Sequence, residues 1–254
     1  LGQGRSRRTR VVNAPSDQPE GVLLVDKPSG MTSHDVVDRL RRKFQMRRIG
    51  HAGTLDPNAT GLLIMLIGKA TKISQFLISL DKTYEGVMRF GQVTDTQDVE
   101  GEIIEETPLP DDLDEARLRE AMKSFRGDQY QTPPMYSAKK VGGVPLYKMA
   151  RKGKSVEREP RFIRINSFEL TGPWHPPDAP FSMSCSKGTY VRTVAHDLGQ
   201  KLGCGGHLAS LRRTLIDQFD LAEAHTLEAI EEMNFSELKQ ALIPAHQAVP
   251  PHVL

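Results

Sequence analysis

Cysteine is almost missing from this sequence: Cys185 and Cys204 are the only two among 254 residues. Neither belongs to a C-x-x-C pair, which excludes a disulfide framework or a thiolate zinc site and fits a reducing cytoplasm. No apolar run is long enough to span a membrane, and residues 22–25 are too short for the apolar region of a signal peptide. No cluster of His, Cys, Asp and Glu has metal-ligand spacing, so neither a metal nor an organic cofactor is expected. Internal repeats are absent. Net charge is also scarce, at +2 from 34 basic and 32 acidic side chains. That balance argues against diffuse attraction to polyanions.

What is present is an ordinary globular balance, 26% charged and 38% hydrophobic, long enough for one large domain or two small ones. The charges are unevenly placed. Arg39, Arg41, Arg42, Lys43, Arg47 and Arg48 crowd one short stretch, while residues 95–120 and 223–237 are acidic. A local basic face on a nearly neutral protein suits a specific polyanion contact. Residues 1–20 carry Arg5, Arg7, Arg8 and Arg10 and read as a disordered basic arm. The chain opens on Leu1, so a natural start upstream is expected.

Periodicity gives interleaved strands and helices. Residues 21–28 are a short apolar run stopped by Pro28, hence a buried strand. Ser33 is expected to cap a helix whose apolar face is Val36, Val37, Leu40 and Phe44. Residues 61–67 are continuously apolar, like a strand buried on both faces. A helical period follows at Ile73, Phe76, Leu77 and Leu80, then a strand over 82–93 containing Tyr84, then a helix through Leu118, Ala121, Met122 and Phe125. Residues 127–161 lose all periodicity, and a loop of that length is functional or disordered. Strands at 161–170 and 181–187, a helix at 191–202, a strand at 207–215 and two short acidic helices complete the chain. Without a regular βαβ beat, the pattern predicts an α/β (α+β) fold on a mixed, mostly antiparallel sheet.

The densest punctuation lies in Gly50-His51-Ala52-Gly53-Thr54-Leu55-Asp56-Pro57-Asn58-Ala59-Thr60-Gly61, which reads as a loop between a basic helix and an apolar strand. Its three glycines are expected to open backbone regions closed to other residues, and Pro57 fixes the geometry just after the acid. Taken alone, an Asp in such a turn most often bonds its own backbone.

The string as a whole resembles the catalytic loop of the TruB family of tRNA pseudouridine synthases, G-H-x-G-x-L-D-P-x-A-x-G, at every fixed position. Four further elements resemble that family in order: residues 24–33 with Lys27-Pro28, residues 82–85 with Tyr84, residues 131–140 together with Gly153-Lys154, and residues 186–192 with Arg192. The resemblance covers about residues 21–244. It implies the pseudouridine synthase fold, with helices flanking the sheet and an inserted RNA-gripping region at about 127–161 that is mobile without RNA. It also implies one catalytic domain over 21–254, the family's small C-terminal PUA-type domain being absent or removed. The implied activity is isomerisation of uridine 55 in the T-arm loop of tRNA, by a cytoplasmic monomer needing no guide RNA.

Glycoside hydrolysis needs two carboxylates, but an isomerisation that uses no water can manage with one. By resemblance that one is Asp56, acting either on C1′ as nucleophile or on the ribose 2′ proton as base. Arg192 resembles the family arginine that pairs with it, favouring the ionised form. Tyr84 resembles the aromatic that stacks on the target base, and Leu208 the apolar residue packed near it. His51 resembles the histidine that enters the RNA loop as the base flips out. Lys27 is expected to be structural or to face a phosphate. Tyr136, Lys139, Lys140, Arg151 and Lys152 are expected to hold RNA, since basic and aromatic side chains together suit backbone and exposed bases. Two other readings compete: a guide-RNA-dependent synthase of the archaeal and eukaryotic branch, and a non-catalytic tRNA-binding chaperone.

Overall fold

Leu23 and Val25 pack on one side of the first strand, Val22 and Leu24 on the other, and all four are buried. The computed structural model describes residues 18–136, 140–141, 144–145 and 156–253, the two short pairs by their backbone alone. Lys139, Arg151 and Lys152 lie outside the described residues, as do the side chain of Lys140 and residues 1–17 of the expected arm.

The chain begins with β1 (Gly21–Lys27), α1 (Ser33–Phe44), β2 (Ile49–Ala52) and β3 (Thr60–Ile67). Helix α2 (Ser74–Ser79) and β4 (Lys82–Phe90) follow. The hairpin of β5 (Gln92–Thr94) and β6 (Ile103–Glu106) leads to α3 (Glu115–Lys123) and β7 (Gly127–Gln131). A two-residue ladder of β8 (Lys140–Val141) and β9 (Val144–Pro145) precedes β10 (Arg161–Leu170) and β11 (Asp178–Cys185). Then come α4 (Val191–Leu202), β12 (Gly206–Ile216), β13 (Phe219–Asp220) and β14 (His225–Thr226). Short helices α5 (Leu227–Glu232), α6 (Phe235–Ala241) and α7 (Ala245–Ala248) come last.

One mixed sheet runs β14-β1-β3-β12-β4-β11-β10-β7, with β2 added on β3 and β13 on β12. Among the described strand pairs of this sheet, only β1–β14 and β3–β12 are parallel. The expected mixed, mostly antiparallel sheet flanked by helices is therefore found. Both faces of β1 and β3 are covered: α1, α5 and α6 close one, and α2 with β13 closes the other. A third cluster joins β4, β10 and β11 to α3 and α4. Where the two halves meet, β12 lies between β3 and β4, and a cleft opens there.

Four local expectations change. Residues 50–52 are strand, because His51 pairs with Met65 and Ala52 with Ile64 on the apolar β3, a tertiary contact that outweighs their turn-like composition. Gly50 keeps a negative φ within that strand, unlike Gly53 and Gly61 at +91° and +97°. The α1 cap is Thr32, in a reciprocal capping box with Asp35, and Ser33 is the first residue inside the helix. The strand expected over 82–93 breaks at Gly91, and the region 127–161 opens with five residues of β7 paired to β10.

Candidate active site

The cleft is built around the turn that joins β2 to β3. At Gly61 a Cβ would lie 2.3 Å from the backbone oxygen of Arg213, so only glycine lets β3 pass this close to β12. The turn before it is pinned from below. Arg213, 1% exposed, donates from Nη2 to the oxygen of Gly53 at 3.0 Å and from Nε to that of Leu62 at 2.7 Å. Ser33 Oγ exchanges two hydrogen bonds with the backbone of Leu55. Lys27, fully shielded from solvent, donates to the oxygens of Pro28, Met31 and Pro57 at 2.8, 2.7 and 3.1 Å. Asp56 is thus carried on a turn whose flanking residues are all tied down.

The Asp56 carboxylate keeps 46% of its side-chain surface open, yet protein crowds it on most sides, as befits a group on the floor of a narrow cleft. That crowding pushes its carboxyl above the usual Asp range. Arg192 pulls it down, and Asp98 pushes it up again. Arg192 Nη1 lies 3.5 Å from Asp56 Oδ2 and 3.0 Å from Asp98 Oδ2. Its other terminal nitrogen donates to the oxygen of Tyr136. One buried guanidinium is therefore shared by two carboxylates and a carbonyl.

The cleft encloses about 260 Å³ and takes in Asp56, Tyr84, Arg192, Leu208 and Leu211. This is just below the usual range of small-ligand clefts, room for one base rather than a helix. Tyr84 is buried on β4, and its phenol is held above the usual range by burial, against the pull of the nearby Arg213 charge. Lys82 lines the same wall, donates to the oxygens of Ile78 and Leu80, and is brought down to about 8 by burial. Among the described residues no group of three metal-binding side chains comes together.

The fold brings Asp56, Tyr84, Arg192 and Leu208 to one cleft. Leu208 also holds the loop carrying Asp98, accepting from Val99 N and donating to Gln97 O at 3.0 Å each. Tyr136 lies against Arg192 and donates its hydroxyl to Asp95 Oδ2 at 3.3 Å. Lys27 is sealed from solvent, its ammonium serves backbone carbonyls, and burial lowers it to about 8. His51 is half-buried, its ring pulled towards the neutral form by burial, and among the described residues its buried Nδ1 has no hydrogen-bond partner.

Sequence reading passed over Asp98, Arg213, Lys82 and Leu211. Asp98 lies in an acidic stretch whose composition gives no sign of which carboxylate is buried. Arg213 had one available signal, a cation inside an apolar strand that must be buried with partners.

These features have close relatives. The family described as TruB family pseudouridylate synthase (N terminal domain) matches residues 41–191, and the tRNA pseudouridylate synthase B C-terminal domain matches residues 192–250. The tRNA pseudouridine synthase B of Opitutus terrae is 64% identical over 236 residues, 93% of this chain and 97% of that protein. That of Syntrophotalea carbinolica is 50% identical over 229 residues, 90% of this chain and 74% of that protein. Among solved structures, a Cbf5-Nop10-Gar1 complex superposes with a TM-score of 0.71 at 27% identity, covering 90% of this chain and 61% of that one. With most of its length matched in this way, the chain belongs to the TruB family of pseudouridylate synthases.

Proposed function

We propose that this chain converts uridine 55 in the T-arm loop of tRNA to pseudouridine. The reading rests on one observation above all: a single carboxylate, Asp56, stands on the floor of a base-sized cleft within 3.5 Å of a buried arginine. In that chemistry the N1–C1′ bond breaks, a C5–C1′ bond forms, C5 loses a proton and N1 gains one, so no water is consumed. Asp56 acts in its ionised form, as nucleophile at C1′ or as base towards the 2′ proton. Arg192 holds that charge. Tyr84 stacks on the base and takes part in the proton transfer at C5. The target must leave its stack to reach the cleft, which costs a few kcal/mol. His51, on the strand entering the turn, fills the place it vacates.

Residues 21–254 act as one catalytic domain, and residues 127–161, with Tyr136, Lys139, Lys140, Arg151 and Lys152, grip the RNA. The chain works alone, as a cytoplasmic monomer without guide RNA. Sequence identity favours this over the guide-dependent reading: 64% to a tRNA pseudouridine synthase B against 27% to the matched chain of the Cbf5-Nop10-Gar1 complex. No described helix is long and apolar enough to cross a membrane. The test is incubation of the chain alone with an unmodified tRNA transcript and with a minimal T-arm stem-loop, followed by mapping of pseudouridine. Product at position 55 in both, unaffected by chelators, is expected. Product only after guide RNA or accessory proteins are added would replace this reading with the other.

A further inference from the structure

Ser33 is the first residue of α1, yet it does not cap the helix. Thr32 performs that task with its own hydroxyl and with the Asp35 carboxylate. The Ser33 hydroxyl is buried, points away from the cap, and spends both its donor and its acceptor on one residue of a distant turn. It accepts from the backbone nitrogen of Leu55 at 2.9 Å and donates to the backbone oxygen of Leu55 at 3.2 Å. Leu55 is itself buried and immediately precedes Asp56.

The Asp56 side chain is unusually dependent on such support. Among the described residues it receives no hydrogen bond, and its nearest charged partner, Arg192, is closer to Asp98. Its direction is therefore set through its backbone. After Asp56 the turn is held by Lys27 Nζ and Gly30 N, both donating to the oxygen of Pro57, and by Ala59 N donating to the oxygen of Asp56. Before it, both polar groups of Leu55 rely on one hydroxyl.

We propose that Ser33 is a positioning residue for the reaction, fixing the backbone on which the Asp56 carboxylate is aimed. The proposal rests on the assignment of Asp56 as the reacting carboxylate. Without the hydroxyl, two buried backbone groups lose their partner at the residue next to that carboxylate, and the turn must shift to recover them. A displacement of about 1 Å in a reacting group costs on the order of a hundredfold in rate.

The test is single-turnover pseudouridine formation at saturating tRNA, with tRNA affinity and thermal unfolding measured on the same preparations, for Ser33→Ala, Ser33→Thr and Asp56→Asn. Ser33→Ala should lower the chemical rate by about tenfold to a hundredfold while tRNA affinity stays within about twofold. Ser33→Thr keeps the hydroxyl and should restore most of the rate. A purely structural role would instead lower the melting temperature of Ser33→Ala and leave its rate unchanged well below that temperature, which overturns the proposal. So does a Ser33→Thr rate no better than that of a folded Ser33→Ala. Should Ser33→Ala fail to fold, Ser33→Cys, of similar size but a poor hydrogen bonder, takes its place with the same expectations. Activity retained in Asp56→Asn overturns the assignment of Asp56 instead, so the two failures are told apart.

Discussion

Arg192 lies closer to Asp98 than to Asp56, at 3.0 Å against 3.5 Å from the same nitrogen. Asp98 thus has two effects on the reacting carboxylate. It holds the guanidinium in place, and its negative charge raises the Asp56 carboxyl. Asp98→Asn keeps a group able to accept from Arg192 and removes the charge. The acid limb of the pH–rate profile should then move to lower pH. Movement to higher pH would contradict this account of the pair. Asp98→Ala removes both and should destabilise by about 3 kcal/mol, the low end for a broken buried pair, because Arg192 keeps Asp56 and the Tyr136 oxygen.

Burial raises the Asp56 carboxyl above its ordinary value of 3.8, and the reaction needs it ionised. Activity should fall as pH drops through the raised native value, before an ordinary Asp would have been protonated. Stability runs the other way. In the window between the unfolded and native values, the unfolded chain has lost a proton that native Asp56 keeps, so this group's contribution falls as pH rises. Asp56→Asn should leave the melting temperature unchanged or higher. A clear drop would show the carboxylate to be a stabilising group.

Lys27 serves three carbonyls from a solvent-free site, and its ammonium titrates near 8 instead of 10.5. Lys27→Met orphans those oxygens and should cost at least about 2 kcal/mol. Below pH 8 the native protein bears the full cost of a buried ammonium, which is relieved as pH rises towards 10.5. The stability advantage of the parent over Lys27→Met should therefore widen across that window in denaturant titrations. A gap independent of pH would mean that Lys27 titrates normally.

Replacing Lys139, Lys140, Arg151 and Lys152 by alanine should weaken tRNA binding and flatten its salt dependence. Each lost phosphate contact lowers the slope of log K against log salt by about 0.7 to 0.9. The chemical step at saturating RNA should change far less, because Asp56, Tyr84 and Arg192 are untouched. An unchanged slope would place these four side chains on a solvated face.

Much of this was legible in the sequence, for physical reasons that differ by element. The runs at β1 and β3 could be read because strands buried on both faces are apolar throughout. Asp56 stood out through the string around it. Strand β2 did not, since Gly50 and Gly53 read as a turn until the pairing of His51 with Met65 is seen. Ser33 was visible as a helix-start residue, but its partner Leu55 is 22 residues away and no local pattern joins them. Asp98 has the same difficulty: its burial depends on Arg192, 94 residues later in the chain. Periodicity reports which face a residue is on. Only the fold reports which distant group it meets there.

The central claim is that Asp56 carries the chemistry, and its most direct test is Asp56→Asn with unmodified tRNA in single turnover. Asparagine keeps the shape of the side chain but can act neither as nucleophile nor as base. Pseudouridine formation should fall by at least about a thousandfold while tRNA affinity stays within about threefold of the parent. Turnover within about tenfold of the parent, at unchanged affinity, would contradict the claim and place the reacting group elsewhere in the cleft.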